Sequence, residues 1–435
     1  MTASTDTWQR IPIIIHSLPS TEPVAVESQE GTCLASAGRY DRYEPDNKPP
    51  RRLTVRSGDD TVSMRYLFFT NTPAHVHLYK HAIGRLADRG DEVLVLARDY
   101  TCTVDLLEWY DLPFEVYGSC DTSKGSLLSR LPAHYARAIR LARRYDPDLI
   151  FGMGGYAAHT GAVVRTPTVL LIDSEPASFD HTISTPFARA VLTPNTFRKD
   201  LGEHHYVFPG FKECAYLYPE TYEPNPEIRD QLGLETDEPY AILRLNAFGS
   251  QHDVGKRGLT GPDRRRIVER LAEDVTVLIS DESGEADLED LPARRFDLHP
   301  ALMHDALAEA SLLVADTQTM VTEAALLGTP AIRSNSFVGD DDMGNFVALE
   351  NQGLIHNVAN AEGIVERVDD LLEDETVDET WQRRRDEFLA DKANLTEIIV
   401  DVATVRGAVE ELESVRQFGR RPERDPVQSV GVGGD

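Results

Sequence analysis

Short apolar runs alternate along the chain with longer amphipathic stretches. This pattern predicts a first strand over residues 66–70, a helix over 77–89 and a second strand over 92–97. The alternation continues through a strand over 149–152 to residue 172 and resumes with a strand over 240–245. Later strands are predicted over 312–315 and 331–333, with helices over 319–327 and 396–414. Because strands separated by helices pair in parallel, we predict an α/β fold with two Rossmann-like, doubly wound sheets facing a central cleft.

The alternation forms a first block that ends at residue 172 and a second block that begins at residue 240. The segments outside these two blocks set the predicted domain boundaries. Residues 1–63 lack periodicity and are rich in Pro, Ser, Thr and acidic residues, which is typical of a disordered arm; a natural start at Met64 is the alternative. Prolines and acidic residues crowd residues 218–239, as in a linker. We therefore predict a first Rossmann-like domain over 64–220, a second Rossmann-like domain over 221–410 and a disordered tail over 411–435.

Acidic residues outnumber basic ones along the whole chain. The sequence holds 73 Asp or Glu and 44 Lys or Arg, which gives a formal net charge of −29. This charge repels nucleic acid and anionic membranes, so we expect neither as a partner of the chain as a whole. The acidic residues are spread over the predicted exposed faces, which is typical of proteins that stay soluble in high salt. We therefore expect a halophilic archaeal source.

Cysteine usage and hydropathy bear on compartment and cofactors. The four cysteines, at positions 33, 102, 120 and 214, have no CxxC spacing, so neither a zinc site nor a disulfide framework is predicted. The acidic run over residues 339–342 suits a solvated loop, and we expect no metal and no cofactor. No apolar run approaches the roughly 18 residues of a membrane span. We predict a cytoplasmic protein without a transmembrane segment, and peripheral association with the membrane stays open.

The helix predicted after the strand at 312–315 carries the main candidate binding site. The unpaired backbone N–H groups at its start, around Gln318, Thr319 and Met320, are expected to hold a diphosphate. Glu323 lies one turn further and is placed to accept hydrogen bonds from a ribose diol. The alternative is an ordinary strand-helix unit in which the glutamate only favours the helix start.

Acid/base chemistry has three candidates in the first block. His75 and His77 lie where the loop after the first strand enters a helix, and a neutral imidazole there can take a proton from a sugar hydroxyl. The alternative is that one of them only caps or packs. Glu175 follows the strand predicted over residues 168–172 and is the third candidate, with helix capping as its alternative.

Two further residues of the second block are candidates for substrate binding. Arg244 ends a predicted strand, where its guanidinium can clamp a diphosphate; an ordinary ion pair is the alternative. His252 lies in a long polar loop that either closes over substrate or is simply exposed. His304 is predicted to lie on a helix surface.

Four motifs follow one another in order, at residues 73–77 (PAHVH), 97–100 (ARDY), 208–213 (FPGFKE) and 329–332 (TPAI). Over about residues 64–400 the chain resembles the domain-of-unknown-function 354 family, which is related to GT-B glycosyltransferases and UDP-N-acetylglucosamine 2-epimerases. The resemblance implies a GT-B fold in which the first domain is the acceptor-side domain and the second is the nucleotide-sugar domain. It also implies ribose binding by Glu323 and acid/base work by Glu175. Residues 152–156 and 244–248 lack the ionisable groups that the epimerases carry there, which argues against epimerisation.

We predict a glycosyltransferase that moves a sugar from a nucleotide donor, with UDP favoured, to a surface-glycan or lipid-linked acceptor. Arg244 would stabilise the leaving phosphate, and His75 or Glu175 would act as base. The alternatives are a nucleotide-sugar 2-epimerase and a catalytically silent GT-B binding subunit. No oligomeric state is predicted.

Overall fold

Two β-sheets form the framework of the fold. The computed structural model describes residues 63–119, 124–245, 259–281, 290–334 and 342–420, without the side chains of residues 124–128. The strands in these ranges are β1 (Arg65–Thr70), β2 (Glu92–Asp99), β3 (Phe114–Ser119), β4 (Leu149–Gly152), β5 (Thr168–Leu171), β6 (Ala190–Pro194), β7 (His205–Phe208), β8 (Tyr240–Leu245), β9 (Thr276–Asp281), β10 (Arg294–Arg295), β11 (Leu312–Ala315), β12 (Ala331–Arg333), β13 (Ile355–Asn357) and β14 (Arg416–Gln417).

Helices connect these strands. They are α1 (Pro73–Asp88), α2 (Thr103–Trp109), α3 (Lys124–Tyr145), α4 (Gly155–Val164), α5 (Ser178–Ser184), α6 (Ile228–Leu232), α7 (Gly261–Leu271), α8 (Met303–Ala308), α9 (Thr319–Leu327), α10 (Gly344–Asn351), α11 (Ala361–Glu373), α12 (Val377–Leu389) and α13 (Leu395–Thr404). Short 3-10 turns occur at Thr185–Phe187, Lys212–Ala215, Pro300–Leu302 and Val409–Glu411.

Both sheets have the winding of a Rossmann fold. The first has the order β14-β7-β6-β5-β4-β1-β2-β3 and the second the order β10-β9-β8-β11-β12-β13. All neighbouring strands are parallel except β14, which runs antiparallel to β7. The winding direction reverses between β1 and β4 and between β8 and β11, and ligands of such sheets bind at the strand ends beside the reversal. The predicted α/β fold with two parallel doubly wound sheets is confirmed.

Burial on both faces of the sheet explains why the strands could be predicted from the sequence. Tyr66 and Phe68 of β1 belong to the apolar cluster that includes α1, whereas Leu67 and Phe69 belong to the cluster that includes α3 and α4. Strands covered on both sides read as continuous apolar runs. The predicted bounds of β4, β8, β11 and β12 accordingly agree with the structure.

The C-terminal segment returns to the first sheet and departs from the sequence prediction. Helix α13 packs on α1, and the Tyr66 hydroxyl donates to the Ala403 carbonyl over 3.1 Å. A helix was expected over residues 396–414, but α13 ends at Thr404 because Arg406 and Gly407 take left-handed φ angles of 52° and 78°. The tail was expected to be disordered from residue 411, yet β14 pairs with β7. The predicted boundary at residue 220 stays a prediction, and residues 1–62 and 421–435 lie outside the described ranges.

Candidate functional site

A cavity of about 180 Å³ lies at the carboxyl ends of both sheets. One wall comes from the segments that follow β5 and β7, and the other from the starts of α9 and α10. Its lining residues are Asp173, Ser174, Lys212, Glu213, Gln318, Thr319, Thr322, Met343, Asn345 and Phe346. The first four belong to the part of the chain built on the first sheet, called here the first half, and the others to the part built on the second sheet, called the second half.

The start of α9 faces this cavity. Gln318, at the N-cap position, makes no side-chain capping hydrogen bond, so the first N–H groups of the helix keep their capacity for an acceptor. The buried hydroxyls of Thr317 and Thr322 and the side-chain oxygen of Asn345 find no partner within the described residues. Buried polar atoms normally have partners, so this group of atoms is suited to a polar ligand. The positive end of the helix dipole favours an anionic one.

Three ionisable side chains form the opposite wall. The Lys212 ammonium lies 2.6 Å from an Asp173 oxygen and 3.6 Å from a Glu213 oxygen. Burial opposes the charge on Lys212, but the two carboxylates outweigh burial and raise its pKa. Burial also opposes ionisation of Asp173, but Lys212 outweighs it and lowers the pKa of Asp173. For Glu213, burial dominates and raises its pKa to about 7. Asp173 is therefore held ionised, whereas Glu213 can gain or lose a proton near neutral pH.

His75 lies near the same wall. Its Nδ1 accepts a hydrogen bond from the Asn71 backbone N–H over 3.1 Å, which leaves the proton of the neutral ring on Nε2. Burial and the charge of Lys212 lower the pKa of His75 to about 3. The ring is therefore neutral at physiological pH, as the sequence analysis expected of a base, but it is a weak one.

Glu175 lies between the two halves and lines a small pocket beside the cavity, together with Asp173, Lys212 and Glu213. Its Oε1 accepts a hydrogen bond from the Gly344 backbone N–H over 3.1 Å. Burial raises the pKa of Glu175, and the Gly344 bond partly offsets that rise. The Glu175 carboxylate thus binds the start of α10. The alternative interpretation expected it to cap the next helix along the chain, which is α5.

Glu323 and His77 belong to a second group of buried side chains, and neither residue lines the cavity. Tyr216 donates its hydroxyl to Glu323 Oε1 over 2.7 Å, and His304 Nε2 donates to the same oxygen over 3.0 Å. The His77 ring packs edge-on against His304 with a centroid distance of 4.5 Å. Burial favours a neutral Glu323, but His304 and these hydrogen bonds outweigh it and lower its pKa.

These positions change the interpretation of three residues. His304 was predicted on a helix surface, and this is wrong because α8 packs on α9 and leaves His304 only 5% exposed. Glu323 is 4% exposed, so ribose binding stays a prediction that requires Tyr216 or His304 to release the carboxylate. His77 is buried within a cluster of aromatic rings, which suits packing better than proton transfer.

Of the remaining predicted residues, only some line the cavity. Arg244 lies half-buried at the end of β8 and donates to the Ser280 hydroxyl over 2.6 Å. Met320 is buried in the apolar core. His252 lies outside the described residues. Gln318 and Thr319 line the cavity as expected.

Sequence reasoning missed Lys212, Glu213 and Asp173 as site residues. A signal was present, because Lys212 and Glu213 close the ordered motif at residues 208–213 and Asp173 lies two residues after the end of β5. The motif was used only for the family resemblance, with a Pro-Gly turn between two elements as its alternative interpretation. Two adjacent charged residues after a Pro-Gly turn, in a segment without helical or strand periodicity, would have justified a functional interpretation.

Within the described residues, no cluster of His, Cys, Asp or Glu has the arrangement of a metal site. Asp342 of the acidic run instead forms a buried bidentate pair with Arg333, at 2.7 and 2.9 Å. Within the same ranges no helix has the length and apolarity that crossing a bilayer requires.

Solved structures share this architecture. The Staphylococcus aureus MnaA–UDP co-structure is similar with a TM-score of 0.58 and 11% identity, over 82% of this chain and 100% of that chain. The UDP-GlcNAc 2-epimerase from Methanocaldococcus jannaschii gives 0.56 and 14%, over 79% and 100%. The glycosyltransferase SnogD from Streptomyces nogalater gives 0.51 and 16%, over 79% and 100%. At these identities the likeness shows the fold, which is GT-B.

No curated protein matches the sequence. The match to a protein family is nevertheless extensive. Residues 65–404 match the family described as "Protein of unknown function (DUF354)", and this chain therefore belongs to that family.

Proposed function

We propose that this protein is a GT-B glycosyltransferase that moves a sugar from a UDP-linked donor to a surface-glycan or lipid-linked acceptor. One observation carries the proposal: the uncapped start of α9 faces a cavity that also holds Lys212 and Glu213. The neighbours named above for UDP or a UDP-sugar share the fold and support this class of donor.

The donor diphosphate suits the start of α9. The N–H groups at the helix start and the helix dipole attract an anion, and the hydroxyl of Thr322, which lines the cavity, can donate to it. Lys212 keeps its charge because Asp173 and Glu213 raise its pKa, so it can balance the charge that builds up on the leaving diphosphate.

The size of the cavity suits only part of the donor. At about 180 Å³ it is smaller than a typical ligand site, which has roughly 300–1,000 Å³. We therefore propose that the sugar and diphosphate occupy it and that the halves part to admit the whole nucleotide sugar and then close. The ribose would reach Glu323 when Tyr216 releases the carboxylate.

Glu213 is the proposed base. With a pKa of about 7 it can take the acceptor hydroxyl proton at neutral pH. The acceptor oxygen then bonds to the anomeric carbon while the bond from that carbon to the diphosphate oxygen breaks. The sequence placed the base at His75 or Glu175, but His75 is too weak a base and Glu175 is held by Gly344. We propose that these two position the site, that Arg244 adds positive charge near the diphosphate, and that His252 binds substrate from its loop.

Calorimetric titration with a panel of nucleotide sugars tests the donor site. Lys212→Met should weaken UDP-sugar binding by about tenfold or more, because a charge-assisted contact is lost. Lys392→Met is the matched control, because Lys392 is similarly buried and pairs with Asp391 away from the cavity. Equal loss in both variants, or no binding of any nucleotide sugar to the wild type, would refute the proposal.

Turnover measured with extracts that contain the acceptor tests whether Glu213 is the base. Glu213→Gln should lower kcat/KM by about 10²-fold or more while donor affinity stays close to wild type. The pH profile of the wild type should rise with an apparent pKa near 7 and lose that inflection in the variant. A variant with full activity would show that another group is the base.

A nucleotide-sugar 2-epimerase is the second candidate, and one observation favours it. Asp173 and Glu213 both lie within 4 Å of the Lys212 ammonium, and their pKa values are shifted in opposite directions, which suits an acid/base pair. An epimerase would convert the UDP-sugar without acceptor, and NMR of the product distinguishes it from a transferase. A binding-only subunit would bind the donor and release no product in either assay.

The proposed setting is the cytoplasm of a salt-loving archaeon. The net charge of −29 supports it, because self-repulsion of such a surface is screened in high salt. Assays should therefore be run in concentrated salt as well as in dilute buffer.

A further inference from the structure

Exposed apolar side chains are concentrated on one side of the first half. Among the described residues the large apolar side chains that are exposed are Trp109, Val163, Phe179 and Phe187. The last three lie within 25 consecutive residues and are 46%, 76% and 50% exposed. They belong to α4, α5 and the 3-10 turn at Thr185–Phe187, which contact one another beside the first sheet.

The same region is basic, unlike the chain as a whole. Residues 129–199 contain nine Arg or Lys and five Asp or Glu, a formal charge of +4, whereas the whole chain carries −29. Several of these cations are exposed and form no ion pair with a carboxylate within the described residues, namely Arg137, Arg140, Arg143, Arg165 and Lys199. Lys199 instead donates to the Ser178 hydroxyl, directly beside Phe179.

We infer that this surface docks on an anionic lipid bilayer. The surface, called here the outer face, consists of Val163, Phe179, Phe187, Arg165 and Lys199. Exposed aromatic rings insert at the headgroup boundary, and cations beside them are attracted by anionic headgroups. The remainder of the chain is acidic and repels such a membrane, so the outer face is the side from which the protein can approach it.

A second copy of this chain fits the outer face less well. A symmetric dimer would bring the same basic surface from both subunits together, and like charges across a contact are unfavourable. An anionic bilayer supplies both missing partners, a low-dielectric layer for the rings and negative charge for Arg165 and Lys199.

The outer face borders the cleft. Phe179 is flanked by Ser178 and Asp180, and Asp180 accepts a hydrogen bond from the Gly155 backbone N–H at the start of α4. Lys199 also donates to the Glu175 carbonyl, and Glu175 lines the pocket beside the cavity. A bilayer at the outer face would present the hydroxyl of a lipid-linked acceptor to the cleft. This consequence rests on the proposed function, whereas the docking itself does not.

Vesicle flotation tests the inference with the full chain. The wild type should float with vesicles of phosphatidylglycerol and phosphatidylcholine in equal parts at about 0.1 M salt and bind pure phosphatidylcholine much less. The double variant Phe179→Ser with Phe187→Ser should lose about tenfold or more of the partition coefficient. Trp109→Ser removes an exposed ring away from the outer face and should bind like wild type.

Charge is tested separately. Arg165→Glu should weaken binding to the anionic vesicles several-fold, whereas Arg383→Glu, an exposed arginine of α12, should have little effect. Above about 1 M salt the Debye length falls to about 3 Å, so the effect of Arg165→Glu should fade and that of the two serine substitutions should remain.

Several outcomes would overturn the inference. These are wild-type protein that does not float, equal loss with Trp109→Ser, or a dimer in solution that the double variant converts to monomer. Calorimetry with UDP-sugars separates this inference from the proposed function, because the outer-face variants should bind the donor like wild type. Donor binding without flotation refutes docking alone, and flotation without donor binding refutes the proposed function alone.

Discussion

Glu175 in the first half accepts a hydrogen bond from the backbone N–H of Gly344 in the second half, over 3.1 Å. Gly344 is the first residue of α10, so the carboxylate lies at the positive end of that helix dipole. A Cβ atom at position 344 would lie 1.9 Å from the Thr196 carbonyl oxygen and 3.2 Å from Glu175 Oε1. The backbones of the two halves therefore approach at a point where only glycine fits.

We expect Gly344→Ala to lower the free energy of unfolding by about 1–3 kcal/mol, because the added methyl group forces the two halves apart. Gly84→Ala is the matched control, since Gly84 is an exposed residue inside α1 with open space at its Cβ position. That variant should gain roughly 0.5–1 kcal/mol from helix propensity. Denaturant unfolding in high salt measures both, and equal stability of Gly344→Ala and wild type would contradict the packing described here.

The buried group around Glu323 gives a second prediction. Tyr216→Phe removes a hydrogen bond to an ionised carboxylate and should cost about 1.5–3 kcal/mol of unfolding free energy. Tyr240→Phe is the matched control, because the Tyr240 hydroxyl is equally buried but donates to the neutral Ala306 carbonyl over 2.6 Å. Its removal should cost about 0.5–1.5 kcal/mol. A larger loss in Tyr240→Phe would show that Glu323 is not ionised in the folded protein.

The fold could be predicted because its strands are buried on both faces. β4, β8 and β11 are short apolar runs bounded by polar or turn residues, and their ends were predicted to the residue. Both ends of α9 were also predicted. Gly328 ends the helix, and the polar residues before Thr319 separate it from the preceding strand. Local pattern was sufficient for these features.

The candidate site could be predicted only in part, because it depends on contacts between the two halves. Nothing in the helical period of α8 indicates that His304 meets Glu323, or that Tyr216 covers the same carboxylate. Lys212 and Glu213 lie in a 3-10 turn, which has no recognisable periodicity. The capping of α10 by Glu175 likewise joins residues 169 positions apart.

The pKa of Glu213 predicts how stability depends on pH. Its value rises from 4.5 to about 7 on folding, so the folded state binds the proton more tightly than the unfolded chain. The contribution to stability is complete below the unfolded value of 4.5 and is lost as pH rises through about 7. The loss amounts to about 3 kcal/mol at most. Glu213→Gln cannot titrate, so its stability relative to wild type should increase across this range and level off above it.

Denaturant unfolding at a series of pH values measures this difference. Glu366→Gln, at an exposed position on α11, is the control for loss of a single exposed carboxylate. A difference between Glu213→Gln and wild type that does not change with pH would show that Glu213 titrates normally. Glu213 would then be a poor candidate for the base of the proposed reaction.

Salt should stabilise this chain more than it stabilises an ordinary protein. With a net charge of −29 the folded state repels itself, and this repulsion weakens as the Debye length falls from about 10 Å at 0.1 M salt to about 3 Å at 1 M. Glu220→Gln and Glu223→Gln remove exposed carboxylates and should raise the unfolding temperature in dilute buffer but not in concentrated salt. Glu410→Gln removes the partner of Arg189 and should lower it in dilute buffer. Equal unfolding temperatures of the wild type at low and high salt would mean that the acidic excess does not reflect a salt-rich cell, because screening would then have no repulsion to relieve.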